Sequence, residues 1–248
     1  MPFSFRTLVP ALAFFLAAAL SSSPSHGRDL RFVTIDVAPW ASIDADKHEP
    51  VGVFVDVVRE LERRTNRKII MSLQPFARIP HELEAGRADC TILIWDDRWS
   101  RFMEKGEVVS THVFGVIARK GVPLQTFSDL HGLNVSVMRG LSLGDRFDND
   151  PDIKRQIDTD YLMGLNKLAH RRLDAVAGAI PTIRYLARQN KLEENLGAQL
   201  TLSEVVLPLQ CTSGSPELDM ALSDFNKAIR AMHGDGFIDS VKKKYDYY

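Results

Sequence analysis

Of the four arginines in residues 72–101, three, Arg78, Arg98 and Arg101, fall beside Phe76, Trp95 and Asp96. Guanidinium groups next to aromatic rings suit the capture of a small carboxylated molecule. The planar fork pairs with a carboxylate through two hydrogen bonds, and a ring supplies an apolar wall. A single arginine is expected on the solvated surface; several around one strand end argue for a ligand site. The elements that would position them are legible. Pro75-Phe76-Ala77-Arg78 reads as a turn. Ile79 and Leu83 mark one face of a short helix, stopped at Ala85-Gly86. Ala88 to Trp95 is a near-continuous apolar run opened by Asp89, as in a parallel strand covered on both faces. Residues 96–101 then lie past its carboxyl end, where open α/β sheets bind ligands.

The rest of the chain supplies the frame. Leu30 to Ile35 reads as a first strand, with Asp36 and Trp40 just beyond its carboxyl end. Phe54, Val57, Val58 and Leu61 stand at i, i+3, i+4 and i+7 of a helix over 53–66, and 68–73 is a second strand. Strand, helix, strand at this spacing is a βαβ unit with parallel pairing. Further strands are expected over 108–119, 134–138, 173–177 and 205–211. Helices are expected over 161–169, from Ile180 to about Gln189, and from Pro216 to Tyr245 with a break at Gly234 and Gly236. There is no internal repeat. The pattern is two α/β units, with the last helical region left to pack on one of them.

Composition narrows the class. The chain has 248 residues, 45% hydrophobic and 25% charged, with a formal net charge of -1. That is ordinary globular composition, and it gives no argument for nucleic acid or an anionic membrane as partner. At the N-terminus, Arg6 precedes an apolar run, Leu8 to Leu20, and small residues follow at Ser21-Ser22-Ser23 and Gly27. This is the pattern of a cleaved secretory signal peptide. A membrane anchor is the alternative, but the run falls short of the ~20 residues a spanning helix needs. Export makes a disulfide permissible for the two cysteines, Cys90 and Cys211; two separate buried thiols are the alternative. His81 and His112 stand alone, and loop or surface positions are expected of them. The histidines and cysteines show no metal-ligand spacing.

In order, VGVFVDVVRELERRTNRKI, PFARIPHELEAGRADCTILI, FSDLHGLNVSVMRG, RRLDAVAG and SPELDMALSDFNKAIRAMHGDGFIDSVKKKY resemble the type II periplasmic solute-binding proteins of family 3, receptors for polar amino acids. The resemblance covers nearly the whole chain after the signal peptide. It implies an α/β fold of two lobes, two mostly parallel sheets with flanking helices and a two-strand hinge, closing on ligand by hinge motion. After the signal peptide (1–27), the first lobe would comprise 28–110 and 208–248, and the second 111–207. It further implies a periplasmic monomer serving an ABC permease, with no cofactor. Arg101, or Arg98 in its place, would grip the ligand carboxylate. Asp36 and Trp40 would lie in the loop after the first strand. Arg139-Gly140-Leu141-Ser142 would offer backbone N–H groups at a helix start to an anion. Cys90 and Cys211 would lie on adjacent antiparallel strands, where a bridge is geometrically reasonable.

One departure stands out. The family motif DAVVGD ends in the aspartate that holds the ligand's ammonium; here Asp174-Ala175-Val176-Ala177-Gly178 ends in Ala179. An enclosed ammonium without a counter-charge is costly. The ligand is therefore expected to be a carboxylated or otherwise anionic solute, or else Asp36 or Asp96 replaces the missing acid. Two other readings stay open. The chain could be an accessory protein that binds a periplasmic dehydrogenase or sensor kinase. It could also be a dehydratase on the same fold, needing Asp36, Asp96, Asp97 or Glu82 as general acid or base.

Overall fold

The computed structural model describes residues 28–247 together with Met1; the rest of the predicted signal peptide lies outside the described residues. Strand β1 (Leu30–Ile35) is almost wholly buried and has a neighbouring strand on each edge in the sheet. After it, β2 (Ser42–Ile43) and β3 (Pro50–Val51) form a small antiparallel ribbon. Helix α1 (Val53–Thr65) buries Phe54, Val57, Val58 and Leu61 on one face and ends at Asn66, which turns left-handed at φ 52°. Fully burying an apolar side chain of this size is worth roughly 1.5–3 kcal/mol. Strand β4 (Ile69–Gln74) then pairs parallel with β1 along its whole length, from Leu30–Ile69 to Ile35–Gln74.

Helix α2 (Ile79–Glu84) leads to β5 (Cys90–Ile92), parallel to β1 on one side. Asp89 fixes the entry to β5. Its buried carboxylate accepts from Arg28 Nη1 at 2.8 Å, from Arg31 Nη2 at 2.8 Å and from the Arg31 backbone N–H at 2.8 Å. Burial raises its pKa, but these donors outweigh burial and hold the carboxyl well below the usual range.

The long strand β6 (Met103–Arg119) leaves this lobe for the second, which contains β7 (Asn134–Met138), α3 (Asp145–Asp148), β8 (Lys154–Asp158), α4 (Tyr161–Ala169), β9 (Ala175–Ala179) and α5 (Ile180–Gln189). Strand β10 (Leu196–Thr212) returns antiparallel to β6. Helices α6 (Pro216–Gly234) and α7 (Phe237–Lys244) then pack against α1. The order across the sheet is β4-β1-β5-β10-β6-β9-β7-β8. The two lobes are each built on parallel strands, and β6 and β10 run through both and join their ladders into one.

Several boundaries differ from the sequence reading, the largest at β10, which starts at Leu196 rather than Val205 because the residues from Leu196 onward pair with β6. β6 starts five residues earlier than expected, since the polar segment from Met103 pairs with β10 through Met103–Thr212 and Lys105–Gln210. β5 is shorter than its apolar run: Leu93 leaves the ladder, and its carbonyl accepts from Gln210 Nε2 at 2.7 Å. Strand β8, largely polar at the sheet edge, carries no hydrophobic alternation and was not legible. Cys90 and Cys211 sit opposite one another on β5 and β10 and are bonded, with Cα atoms 4.0 Å apart.

Candidate functional site

The interlobe cleft is built first by the start of α1. The N–H groups of Val53 and Phe54 donate to the carbonyls of Pro39 (2.9 Å) and Trp40 (2.8 Å), so a helix end is satisfied by the loop it must hold. Gly52 makes this approach possible: a Cβ there would lie 2.5 Å from the Trp40 carbonyl oxygen. Trp40 is thereby driven inward, 3% exposed, with its ring centroid 4.7 Å from that of Phe54 and 4.1 Å from that of His112. Its indole Nε1 crosses to the second lobe and donates to Thr182 Oγ1 at 2.9 Å.

Two more contacts hold the lobes together. A Cβ on Gly140, which has φ +83°, would lie 3.2 Å from the Ala77 Cβ, so the turn after β7 rests on the turn before α2. After α7, Tyr247 places its ring 4.2 Å from Trp40, and the neighbouring Asp246 carbonyl accepts from Arg188 Nη2 on α5 at 3.2 Å.

What remains between the lobes is a cavity of about 30 Å³, room for about two water molecules. Trp40, Phe76, Leu93 and Ile94 line it from the first lobe, Met138, Leu141, Tyr161, Ala179 and Thr182 from the second, and His112, Phe114 and Leu207 from the crossing strands. No ionised side chain is among them. His112 is 4% exposed, and burial, with Lys242 nearby, pulls its pKa down to about 3, so the ring is neutral. Its expected loop or surface position is thus corrected: β6 continues through it, and the aromatic cluster encloses it.

At the position of the family aspartate, Ala179 turns its N–H to the Tyr161 hydroxyl at 3.1 Å. Gly178 is required beside it. Its φ is +151°, and a Cβ would lie 2.3 Å from the Tyr161 ring. Tyr161 therefore packs against a backbone that no larger residue would permit.

Of the sequence-predicted site residues, the structure brings Trp40 and Phe76 to the cavity and sets Gly140 and Gly178 against its walls. The charged candidates lie elsewhere. Arg101 is 67% exposed and paired with Glu84, two residues before β6 begins. Arg98 turns back onto Asp96, which its guanidinium and backbone N–H both engage, and that lowers the Asp96 pKa. Trp95 is half-buried and donates to Asp97 Oδ1 at 2.7 Å. Arg78 and Arg139 are exposed and line no part of the cavity. The predicted anion site at Ser142 is already filled: Asp148 accepts from the Ser142 hydroxyl and from the Leu143 N–H.

The acids considered for catalysis also lie off the cavity. Glu82 is engaged by Arg87, which holds its pKa down, and burial raises that of Asp36. Sequence spacing gave no hint of His131, Asp150 and Asp152, whose ligand atoms come within 4.8 Å of one another at the surface. Asp150 is already engaged by His131 Nε2 (3.2 Å) and the Asp152 N–H (2.9 Å). Among the described residues, no helix is long and apolar enough to cross a membrane.

No curated protein sequence matches the chain. Among solved structures it is similar to a histidine kinase sensor domain with similarity to periplasmic binding proteins (18% identity, TM-score 0.76, covering 89% of this chain and 96% of that one). It is also similar to the substrate-binding protein of an amino acid ABC transporter (17%, 0.74, 88% and 99%). A third is the ancestral amino acid-binding protein AncCDT-1, a precursor of cyclohexadienyl dehydratase (19%, 0.73, 89% and 95%). At these identities the likeness establishes the two-lobed fold. The model of the bacterial extracellular solute-binding proteins, family 3, matches residues 30–246, and the chain belongs to that family.

Proposed function

We propose that this protein is a periplasmic receptor whose lobes, exchanging near residues 110 and 207, close over a small uncharged solute for delivery to an ABC-type importer. The observation that carries this reading is the lining of the cleft: apolar side chains and neutral polar groups, with the arginines expected to hold a carboxylate paired or turned outward. Charge in such a site would be costly, because an ion enclosed without a partner loses its hydration. An apolar solute meets no such cost and gains the burial of its surface. The anionic ligand anticipated from the sequence finds no support in this lining.

A second reading is favoured by one feature. The lobes already hold each other through Trp40–Thr182 and Gly140–Ala77, and the cavity left is too small for an amino acid. Direct contacts between the lobes suit an accessory or sensory protein that presents its outer surface to a partner. A thermal-shift screen separates the two, since a ligand bound only by the folded state raises the melting temperature. Stabilisation by neutral aromatic or aliphatic compounds supports the receptor. Stabilisation by free amino acids or dicarboxylates overturns the uncharged-solute reading. No stabilisation by any class moves the function to a partner protein.

A further inference from the structure

Two polar groups, one of them unmatched, line the cavity between the lobes. His112 lines the cavity, and its Nε2 is buried with no hydrogen-bond partner among the described residues. Tyr161, 4% exposed and lining the same cavity, accepts the Ala179 N–H at its hydroxyl oxygen, and a phenol O–H is in addition a donor. Buried polar atoms in folded proteins are nearly all hydrogen-bonded, so exceptions inside a cavity call for an explanation. Both groups sit on well-anchored elements, His112 on a crossing strand and Tyr161 at the first turn of α4, where the Asp160 side chain accepts from the Met163 N–H at 2.8 Å.

We propose that His112 and Tyr161 form a polar subsite that holds the carbonyl or hydroxyl oxygen of an otherwise apolar ligand. A neutral carbonyl has two lone pairs, and the Tyr161 O–H and the His112 Nε2–H are two donors able to meet them. A hydroxyl group can instead donate to Nε2 in the other imidazole tautomer. A carboxylate is disfavoured because neither group is charged and no cation lines the cavity. The lobes must part about β6 and β10 to admit such a molecule, since the closed cavity is too small for it. This subsite rests on the receptor reading above and specifies the chemical class of its solute.

The test compares matched pairs that share a skeleton and differ in one oxygen: acetophenone with ethylbenzene, cyclohexanone with cyclohexane, and 2-heptanone with heptane. Binding is followed by tryptophan fluorescence, Trp40 being part of the cavity wall. The subsite predicts that at least one ketone binds about tenfold or more tighter than its hydrocarbon partner, the scale of one buried hydrogen bond. In His112→Phe the gap closes, and His112→Gln, which keeps a donor and an acceptor, restores part of it. Equal affinities within every pair in the native chain overturn the subsite and leave the receptor standing. Absence of binding by every ketone and every hydrocarbon overturns both.

Discussion

The indole Nε1 of Trp40 donates to the Thr182 hydroxyl oxygen at 2.9 Å, joining two buried side chains 142 positions apart and on opposite lobes. The bond latches the closed form. Thr182→Val keeps the shape but leaves the Trp40 N–H buried without an acceptor, a loss of about 1–3 kcal/mol. The melting temperature should fall by about 3–10 °C, and small-angle scattering should report a larger radius of gyration. A variant as compact and as stable as the native chain would show that the latch contributes nothing.

His112 gives the protein a specific acid sensitivity. Its folded pKa, about 3, lies below the ~6.5 of an unfolded histidine. Between those values the unfolded chain binds the extra proton, so stability must fall as pH drops from about 6.5 towards 3. In His112→Phe this part of the loss should vanish, leaving the steeper decline below about pH 4 that comes from depressed carboxylates such as Asp89. Urea unfolding at pH 7, 5.5 and 4 checks it. Equal slopes for both chains would place the titration elsewhere.

Arg101 is the residue on which sequence and structure disagree most. If its place is the surface pair with Glu84, Arg101→Ala should leave the affinity of any cleft ligand unchanged within about twofold and alter stability by no more than about 1 kcal/mol. Calorimetric titration of the variant decides the point. A loss of a hundredfold would return Arg101 to the site.

The disulfide closes a long segment, Cys90 and Cys211 standing 121 positions apart. Replacing both by alanine should lower stability by about 2–4 kcal/mol, chiefly by freeing the unfolded chain. Because the bridge ties β10 to β5 within one lobe, ligand affinity at low temperature should be preserved. Denaturant unfolding with and without the pair measures the first effect and titration the second.

The fold was largely legible because its buried elements carry strong periodicity. β1 and α1 fall close to where the alternation and the i, i+3, i+4 spacing place them. The site was less legible, and for physical reasons. Arg101 was placed by counting along a motif, but counting assumes that the loop after β5 keeps its path. Here β5 ends at Ile92, and Asp96 and Arg98 close on each other in the loop. His112 looked like an isolated surface histidine because its neighbours in the cluster, Trp40 and Tyr247, come from distant parts of the chain. Ala179 was the informative signal. A missing carboxylate shows directly in the sequence, whereas the Tyr161 ring beside it depends on the φ of Gly178.

The central claim, that the cleft takes an uncharged solute, is tested most directly by calorimetric titration of the chain from residue 28 onward. Neutral aromatic and aliphatic compounds would be compared with the free amino acids at several temperatures. The account predicts binding by neutral compounds with a negative heat-capacity change, the mark of apolar surface leaving water, and none by arginine, glutamine or glutamate. Micromolar binding of any of these three amino acids would contradict it.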